Sequence, residues 1–280
     1  MSAEPRRRQL LELVGRRGFA TLDELMNALG VSESTVRRDL DVLDQAGSIR
    51  RTHGGAVISP EVRAMPALDD RVSAQAAEKR AIGRAAAASI DDGDAVLLDG
   101  GTTTLEVARA LLGRPVQVVT NSLPIAGLLT SSKENDLILI GGYVSPRTGV
   151  AMGPLSIAAM RDIRVRKAIL GAGGIVADGI YNSNLLLVDT QRQMMNCGQE
   201  VVIVADHSKF GRLALSWLCG LDEVDRMVVD SGLSDQDREM LARAGIALTE
   251  APVAVESSEV ADPGIGSTVP TTQRPARTES

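Results

Sequence analysis

From Ala95 to Asp230 the chain repeats one pattern, a short apolar run that ends in a small polar or glycine-rich turn. The runs are "AVLL" before Asp99, "VQVV" before Thr120, "LILI" before Gly141, "AIL" before Gly171, "VVIVA" before Asp206 and "MVV" before Asp230. Helical stretches such as "TTLEVARALLG" and "LPIAGLLTSS" lie between several of them. Strand and helix in alternation imply a parallel sheet with helices on its faces. Aromatic residues make up only 2% of the chain, so the core of that sheet must be Leu, Val, Ile, Ala and Met.

The rest of the chain does not follow this rhythm. Residues 1–57 hold short helical stretches and end in "SIRRTHGGAV", residues 58–77 read as a linker, and the α/β pattern occupies 78–250. Residues 251–280 are rich in Ser, Thr, Pro and Glu with few large apolar side chains, a composition that predicts disorder. At 280 residues the chain is comfortable for two domains. Cys197 and Cys219 are isolated, without CxxC or Cys/His clustering, which points to reduced, buried thiols. No apolar stretch approaches membrane-spanning length and no signal peptide follows the basic N-terminus, so a soluble, cytoplasmic protein is expected.

In the N-terminal region, "RRRQLLELVGRR" predicts a helix with Leu10, Leu13 and Val14 inward. "TLDELMNALGV" predicts a second, with Leu22, Leu25, Met26 and Leu29 at helical spacing. Gly30 stops it, and Ser32 is placed to cap a third helix through "VSESTVRRDL". That is the plan of a helix-turn-helix, whose second paired helix enters the major groove. At about 100° per residue, Ser34 and Arg38 fall nearly opposite Val36 and Leu40, with Arg37 to one side and Thr35 to the other. These side chains donate to phosphates and base edges, and Arg is the commonest bidentate reader of guanine. The "SIRRTHGGAV" segment reads as two short strands around glycines, a wing from which Arg50, Arg51 and His53 reach the flanking backbone. The net charge of −6 excludes a uniformly basic coat, yet residues 1–57 carry nine arginines, in clusters, against eight acids. The bland alternative is a solvated amphipathic helix.

"VSESTVRRDLDVLDQAGSIRRTHGGAV" resembles the winged helix-turn-helix signature of the DeoR family of bacterial transcriptional regulators. In that family a VSxxTxRRDL recognition helix leads to an R-x-HGGA wing. The resemblance implies binding to double-stranded operator DNA, with Ser32, Ser34, Thr35, Arg37, Arg38, Arg50, Arg51 and His53 as the contacting residues.

In parallel α/β sheets, ligands sit where loops leave the carboxyl ends of the strands. This sequence places "DGGTTT" (99–104), "TNS" (120–122), "GG" (141–142), "GAGG" (171–174) and "DHSKFG" (206–211) there. In "DGGTTT", glycines allow close backbone approach and threonine hydroxyls stand at the start of a helix whose free N–H groups favour an anion. Lys209 supplies positive charge. A P-loop is absent, and in "GAGGIVADG" Val176 stands where a dinucleotide fingerprint needs its third glycine. The same residues at tight turns alone would also read as ordinary strand-to-helix connections.

Residues from about 78 to 250 are similar to the sensor domain of the same family, whose fold resembles ribose-5-phosphate isomerase. The matching segments are "EKRAIGRAAA", "DGGTTT", "TNS", "LIGG", "MGPLS", "GAGGI" and "ADHSKFGR". The resemblance implies a phosphorylated sugar or polyol as effector, with Asp99, Gly100, Gly101, Thr102, Thr103, Thr104, Asn121, Gly142 and Lys209 around it. Two departures stand out. Many relatives carry an acid at the position of Gly173, and often a Glu and a Lys where this chain has Leu187 and Gln191.

The expectation is therefore a regulator, by family habit a repressor of a sugar or polyol operon, with no cofactor and no metal. The alternative is an isomerase-like enzyme with an accessory DNA-binding domain, in which Asp99 or Asp206 would serve as base. The two histidines, His53 and His207, and the lack of a GxSxG elbow argue against a Ser-His-Asp hydrolase. His207 reads as a packing or hydrogen-bonding residue, and Tyr181, Phe210 and Trp217 as core or pocket wall. Helix-turn-helix proteins bind paired half-sites, so a homodimer or homotetramer assembled through the sensor domains is expected, with the linker carrying the signal.

Overall fold

The computed structural model describes residues 3–17, 19–45, 49–52, 54–58 and 68–253. His53, residues 59–67 of the segment read as linker, and residues 254–280 of the expected disordered tail lie outside them.

The first unit consists of α1 (Ala3–Arg17), β1 (Phe19–Thr21), α2 (Leu22–Leu29), α3 (Glu33–Gln45), β2 (Ile49–Thr52) and β3 (Gly55–Ile58). Thr21 starts α2 with a reciprocal capping box to Glu24, and Gly30 ends it in the left-handed region at φ 64°. Leu10, Leu11 and Val14 of α1 close over Leu25, Val36, Leu40 and Leu43. Leu13, read as inward from spacing, is only partly buried, because the second unit lies against α1 and draws Leu11 inside instead. The wing has three strands in the order β1-β3-β2. Gly55 is obligatory there, since a Cβ would stand 2.1 Å from the Ala20 carbonyl oxygen of β1.

Two helices, α4 (Leu68–Ser73) and α5 (Ala76–Ala88), begin inside the stretch read as linker. Then follow β4 (Ala95–Leu98), α6 (Thr102–Leu111), β5 (Gln117–Thr120), α7 (Leu123–Leu129), β6 (Asp136–Leu139), the hairpin β7 (Tyr143–Ser145) and β8 (Val150–Met152), and α8 (Pro154–Ala159). The second half runs β9 (Val165–Gly171), β10 (Gly174–Val176), β11 (Gly179–Asn182), α9 (Leu185–Cys197), β12 (Gly198–Ala205), β13 (Ser216–Cys219), β14 (Arg226–Asp230), α10 (Asp235–Arg243) and β15 (Ala247–Ala251).

A parallel seven-stranded sheet has the order β15-β14-β12-β9-β4-β5-β6, and all six apolar runs of the sequence are in it. Because successive side chains on a strand point to opposite faces, each run feeds two cores. Val96 and Leu98 pack under α5, α6 and α7, as do Val202 and Val204. Leu97, Val201 and Ile203 pack with α9 and α10 on the other face. A small antiparallel sheet, β10-β11-β13, stands beside this second layer. No described helix is long and apolar enough to cross a membrane.

Candidate functional site

On α3 the buried and exposed faces fall where the residue spacing puts them. Val36, Leu40 and Leu43 are fully buried while Ser32, Ser34 and Arg38 are exposed, with Thr35 and Arg37 between. Ser32 accepts α3's first backbone bonds at its carbonyl, from Thr35 and Val36, and its hydroxyl lies 3.0 Å from those of Ser34 and Thr35. The arginines divide into two groups. Arg38 and Arg50 are exposed and form no ion pair with any described residue. Arg37 is held by Glu33 one turn back, at 2.6 Å, and Arg51 is paired with Asp41. Arg6 serves the fold: its Nε donates to the buried carboxylate of Asp39 at 2.5 Å, with Arg7 3.7 Å from the same group.

The second site lies at the sheet's switch point. From β4 the chain steps outward through β5 to β6, then returns to β9 on the other side of β4 and continues to β12, β14 and β15. The loops after β4 and β9 therefore part from each other, and a ligand crevice forms between them. A cavity of about 290 Å³ opens there, lined by Asp99, Gly100, Gly101, Thr102 and Thr103 on one side and by Gly171, Ala172 and Gly173 on the other. Lys209 reaches it from the short 3₁₀ turn His207–Lys209, which Asp206 caps by accepting from the Ser208 amide.

Three of the expected residues do not line this cavity. Thr104 is buried inside α6 and donates to the Gly101 carbonyl at 3.0 Å. Asn121 is spent on the Ala151 carbonyl at 2.8 Å, tying the β5 loop to β8. Gly142, at φ 153°, is packed against Ser156. Gly100 lines the cavity, but a close neighbour dictates its identity: a Cβ would meet a Val150 methyl at 2.1 Å.

The cavity also contains cations that sequence reasoning missed. Arg71 of α4, Lys79 of α5 and Arg212, just beyond "DHSKFG", join Lys209 in the lining. Lys79 and Arg212 fall in segments that resemble the family, "EKRAIGRAAA" and "ADHSKFGR", whereas "DDRVS" gave no signal for Arg71. Burial pushes Arg71, Lys79 and Lys209 below their ordinary pKa values, and Asp99 or Asp206 only partly restores them. The cluster faces Thr102 and Thr103 at the start of α6, where Gly101 supplies no side-chain cap to the first-turn N–H groups. Cations starved of solvent beside a helix N-terminus favour the approach of an anion.

Asp99 is the one acid in the lining, 1% exposed, and desolvation lifts its pKa to about 6 against a partial offset from Gln191. The Gln191 amide donates to Asp99 Oδ2 at 2.6 Å and accepts from Asn182 at 3.1 Å. His207 stays outside the cavity, with Nδ1 2.7 Å from Asp230. Tyr181 is buried core, and Arg192 lies 5.4 Å over the Trp217 ring. Cys197 and Cys219 are free and buried, and burial pushes the Cys219 thiol up to about 12.

Two family models match the chain, a DeoR-like helix-turn-helix domain over residues 6–61 and a DeoR C-terminal sensor domain over residues 74–231. The chain is similar to the transcriptional repressor AccR of Agrobacterium fabrum, 36% identical over 82% of this chain and 91% of that one. It is also similar to the glycerol-3-phosphate regulon repressor of Escherichia coli, 34% identical over 82% and 92%, and to the repressor CsqR of Escherichia coli, 32% identical over 86% and 96%. Solved structures give looser likenesses. Ribose 5-phosphate isomerase A from Neisseria gonorrhoeae has a TM-score of 0.36 and 14% identity over 48% of this chain and 53% of that one. The beta subunit of eIF2B from Chaetomium thermophilum has a TM-score of 0.42 and 16% identity over 81% and 85%. The match to both family models and the identity to these repressors place the chain in the DeoR family of transcriptional regulators, with a DNA-binding helix-turn-helix unit followed by a sensor domain.

Proposed function

We propose that this protein represses an operon of sugar or polyol metabolism and that a phosphorylated sugar or polyol in the switch-point cavity controls its hold on operator DNA. The observation that carries the reading is the cavity's charge: Arg71, Lys79, Lys209 and Arg212 line it with one carboxylate, and a second, Asp206, lies behind Lys209 at 3.8 Å, so cations outnumber acids beside an uncapped helix start. Its relatives are repressors, one of them named for a glycerol-3-phosphate regulon. In the DNA-binding unit, Arg38 reads base edges from α3, Ser32, Ser34, Thr35 and Arg37 flank it, and Arg50, Arg51 and His53 of the wing neutralise phosphates.

Asp99, with its pKa near 6, has the tuning of a general base and gives the isomerase alternative its one support. It stands alone: Gly173 and Leu187 in the same wall are not acids. Control rather than turnover is the better account.

Association between copies has support on the sensor domain. Edge strand β6 and its surroundings leave Leu123, Ile138, Leu139, Tyr143, Leu155 and Leu186 exposed, an apolar patch of the kind that marks a contact surface. We assign the dimer or tetramer interface to it. The protein acts in the cytoplasm, where the operator is.

The test is a pair of variants. Thr103→Val and Lys209→Ala keep operator binding and lose the response to the sugar phosphate that releases the wild type. A normal response in either variant moves the effector site elsewhere.

A further inference from the structure

Asp99 is buried, lines the cavity, and uses only one of its oxygens. Gln191 holds Oδ2, and Gln191 is itself oriented by Asn182 and by a second bond to the Gly171 carbonyl at 3.2 Å. Oδ1 has no hydrogen-bond partner among the described residues. A buried acceptor without a donor is costly, and a ligand hydroxyl removes that cost. A second phosphate or a carboxylate in the same place would meet like charge. Resting on the phosphate reading of the cavity, we propose that Asp99 sets the effector class: its Oδ1 accepts from a hydroxyl of a singly phosphorylated sugar or polyol and discriminates against ligands with a second anion.

The experiment is calorimetric titration of the full chain and of Asp99→Asn with matched probes. These are glucitol 6-phosphate against 6-phosphogluconate, glycerol 3-phosphate against 3-phosphoglycerate, and inorganic phosphate alone. The wild type is expected to favour the alcohol of a pair by about tenfold or more. Asp99→Asn narrows that ratio, and inorganic phosphate binds the variant at least as tightly as the wild type, because the like charge is gone. A wild type without the preference, or a variant with the same ratio, overturns the assignment. If no probe binds, inorganic phosphate included, the phosphate reading itself fails and this assignment falls with it.

A different observation carries a second inference. Leu213 lines the effector cavity and also a second cavity of about 230 Å³ between the two units, bounded by Arg7, Leu11, Leu43, Asp178 and Tyr181. Leu213 and Leu215 pack against the core of the helix-turn-helix unit, while Arg212 and Ala214 line the switch-point cavity. The segment is anchored at its start. The Gly211 amide donates to the Ile175 carbonyl at 2.9 Å, and the Arg212 carbonyl lies where a Gly174 Cβ would be. We infer that the Lys209–Leu215 strap couples the cavity to the DNA-binding unit, Leu213 shifting between two spaces that each have room for it.

Coupling is reciprocal, so DNA must be felt at the strap even without effector. Hydrogen exchange of the full chain is measured with and without its own promoter fragment. The amides of 211–216 change protection in the wild type and do not in Leu213→Ala, which still binds the fragment. No change in the wild type, or the same change in the variant, overturns the strap as the route. Neither result depends on which compound is the effector.

Discussion

The Gln191 amide donates to Asp99 at 2.6 Å across the sheet's switch point, joining α9 to the loop after β4 beneath the switch-point cavity. This pair controls a carboxyl whose pKa stands at about 6 in the folded chain against 3.8 ordinarily. Between those values the folded state holds more proton than the unfolded state, so the Asp99 contribution makes stability fall as pH rises from about 4 to 6, and it is flat above. Urea unfolding at pH 4.5 and 6.5 is expected to show Asp99→Asn departing from the wild-type profile by about 2 kcal/mol across that window. Parallel profiles would mean Asp99 titrates normally.

Gly100 answers to packing against Val150. Gly100→Ala is expected to cost about 1–3 kcal/mol by overpacking, and Val150→Ala in the same chain is expected to return part of it. Thermal or denaturant unfolding of the two variants reads this. Strict additivity, with no rescue, would break the link between the β4 loop and β8.

The two arginine populations separate in binding assays. Arg38→Ala is expected to lose about 1–3 kcal/mol on the cognate site and to relax sequence preference. Arg50→Ala weakens all DNA alike and lowers the slope of affinity against salt by about one ion. Arg51→Ala has a smaller effect than Arg50→Ala, since Arg51 is already paired with Asp41. Anisotropy with cognate and scrambled duplexes across a salt series distinguishes these outcomes. Equal loss on every sequence after Arg38→Ala would remove its base-reading role.

Leu155, 74% exposed beside the β7–β8 hairpin, is the sharpest point of the apolar patch. Leu155→Glu, alone or with Ile138→Glu, is expected to shift the molar mass in light scattering to that of a smaller species and to weaken operator binding. An unchanged mass would place the interface elsewhere.

What was legible in the sequence follows from period and length. Six aliphatic runs mark six strands of the parallel sheet: the five inner ones are covered by helices on both faces and are apolar throughout, and edge strand β6 keeps the pattern although Ile138 and Leu139 are exposed. The seventh, β15, is "ALTEA", an edge strand paired on one side only, and its polar content hid it. The short strands β10, β11 and β13 carry too few residues each to stand out as apolar runs. Around the cavity, residues at or just beyond a strand end are legible, namely Asp99 to Thr103 and Lys209. Arg71 and Lys79 come from helices that precede the sheet in sequence and fold back over it, which local pattern does not encode. Asn121 and Gly142 were overread, because a polar or glycine residue after a strand serves a neighbouring hairpin as readily as a ligand.

The central claim is control of DNA binding by a phosphorylated sugar or polyol. The direct measurement is binding of the purified full chain to its own promoter fragment, titrated with a panel of sugar and polyol phosphates. Tight binding that one member of the panel weakens by tenfold or more, with Lys209→Ala indifferent to it, is the predicted result. Tight binding untouched by every member would leave the DNA-reading helix in place and contradict the effector site.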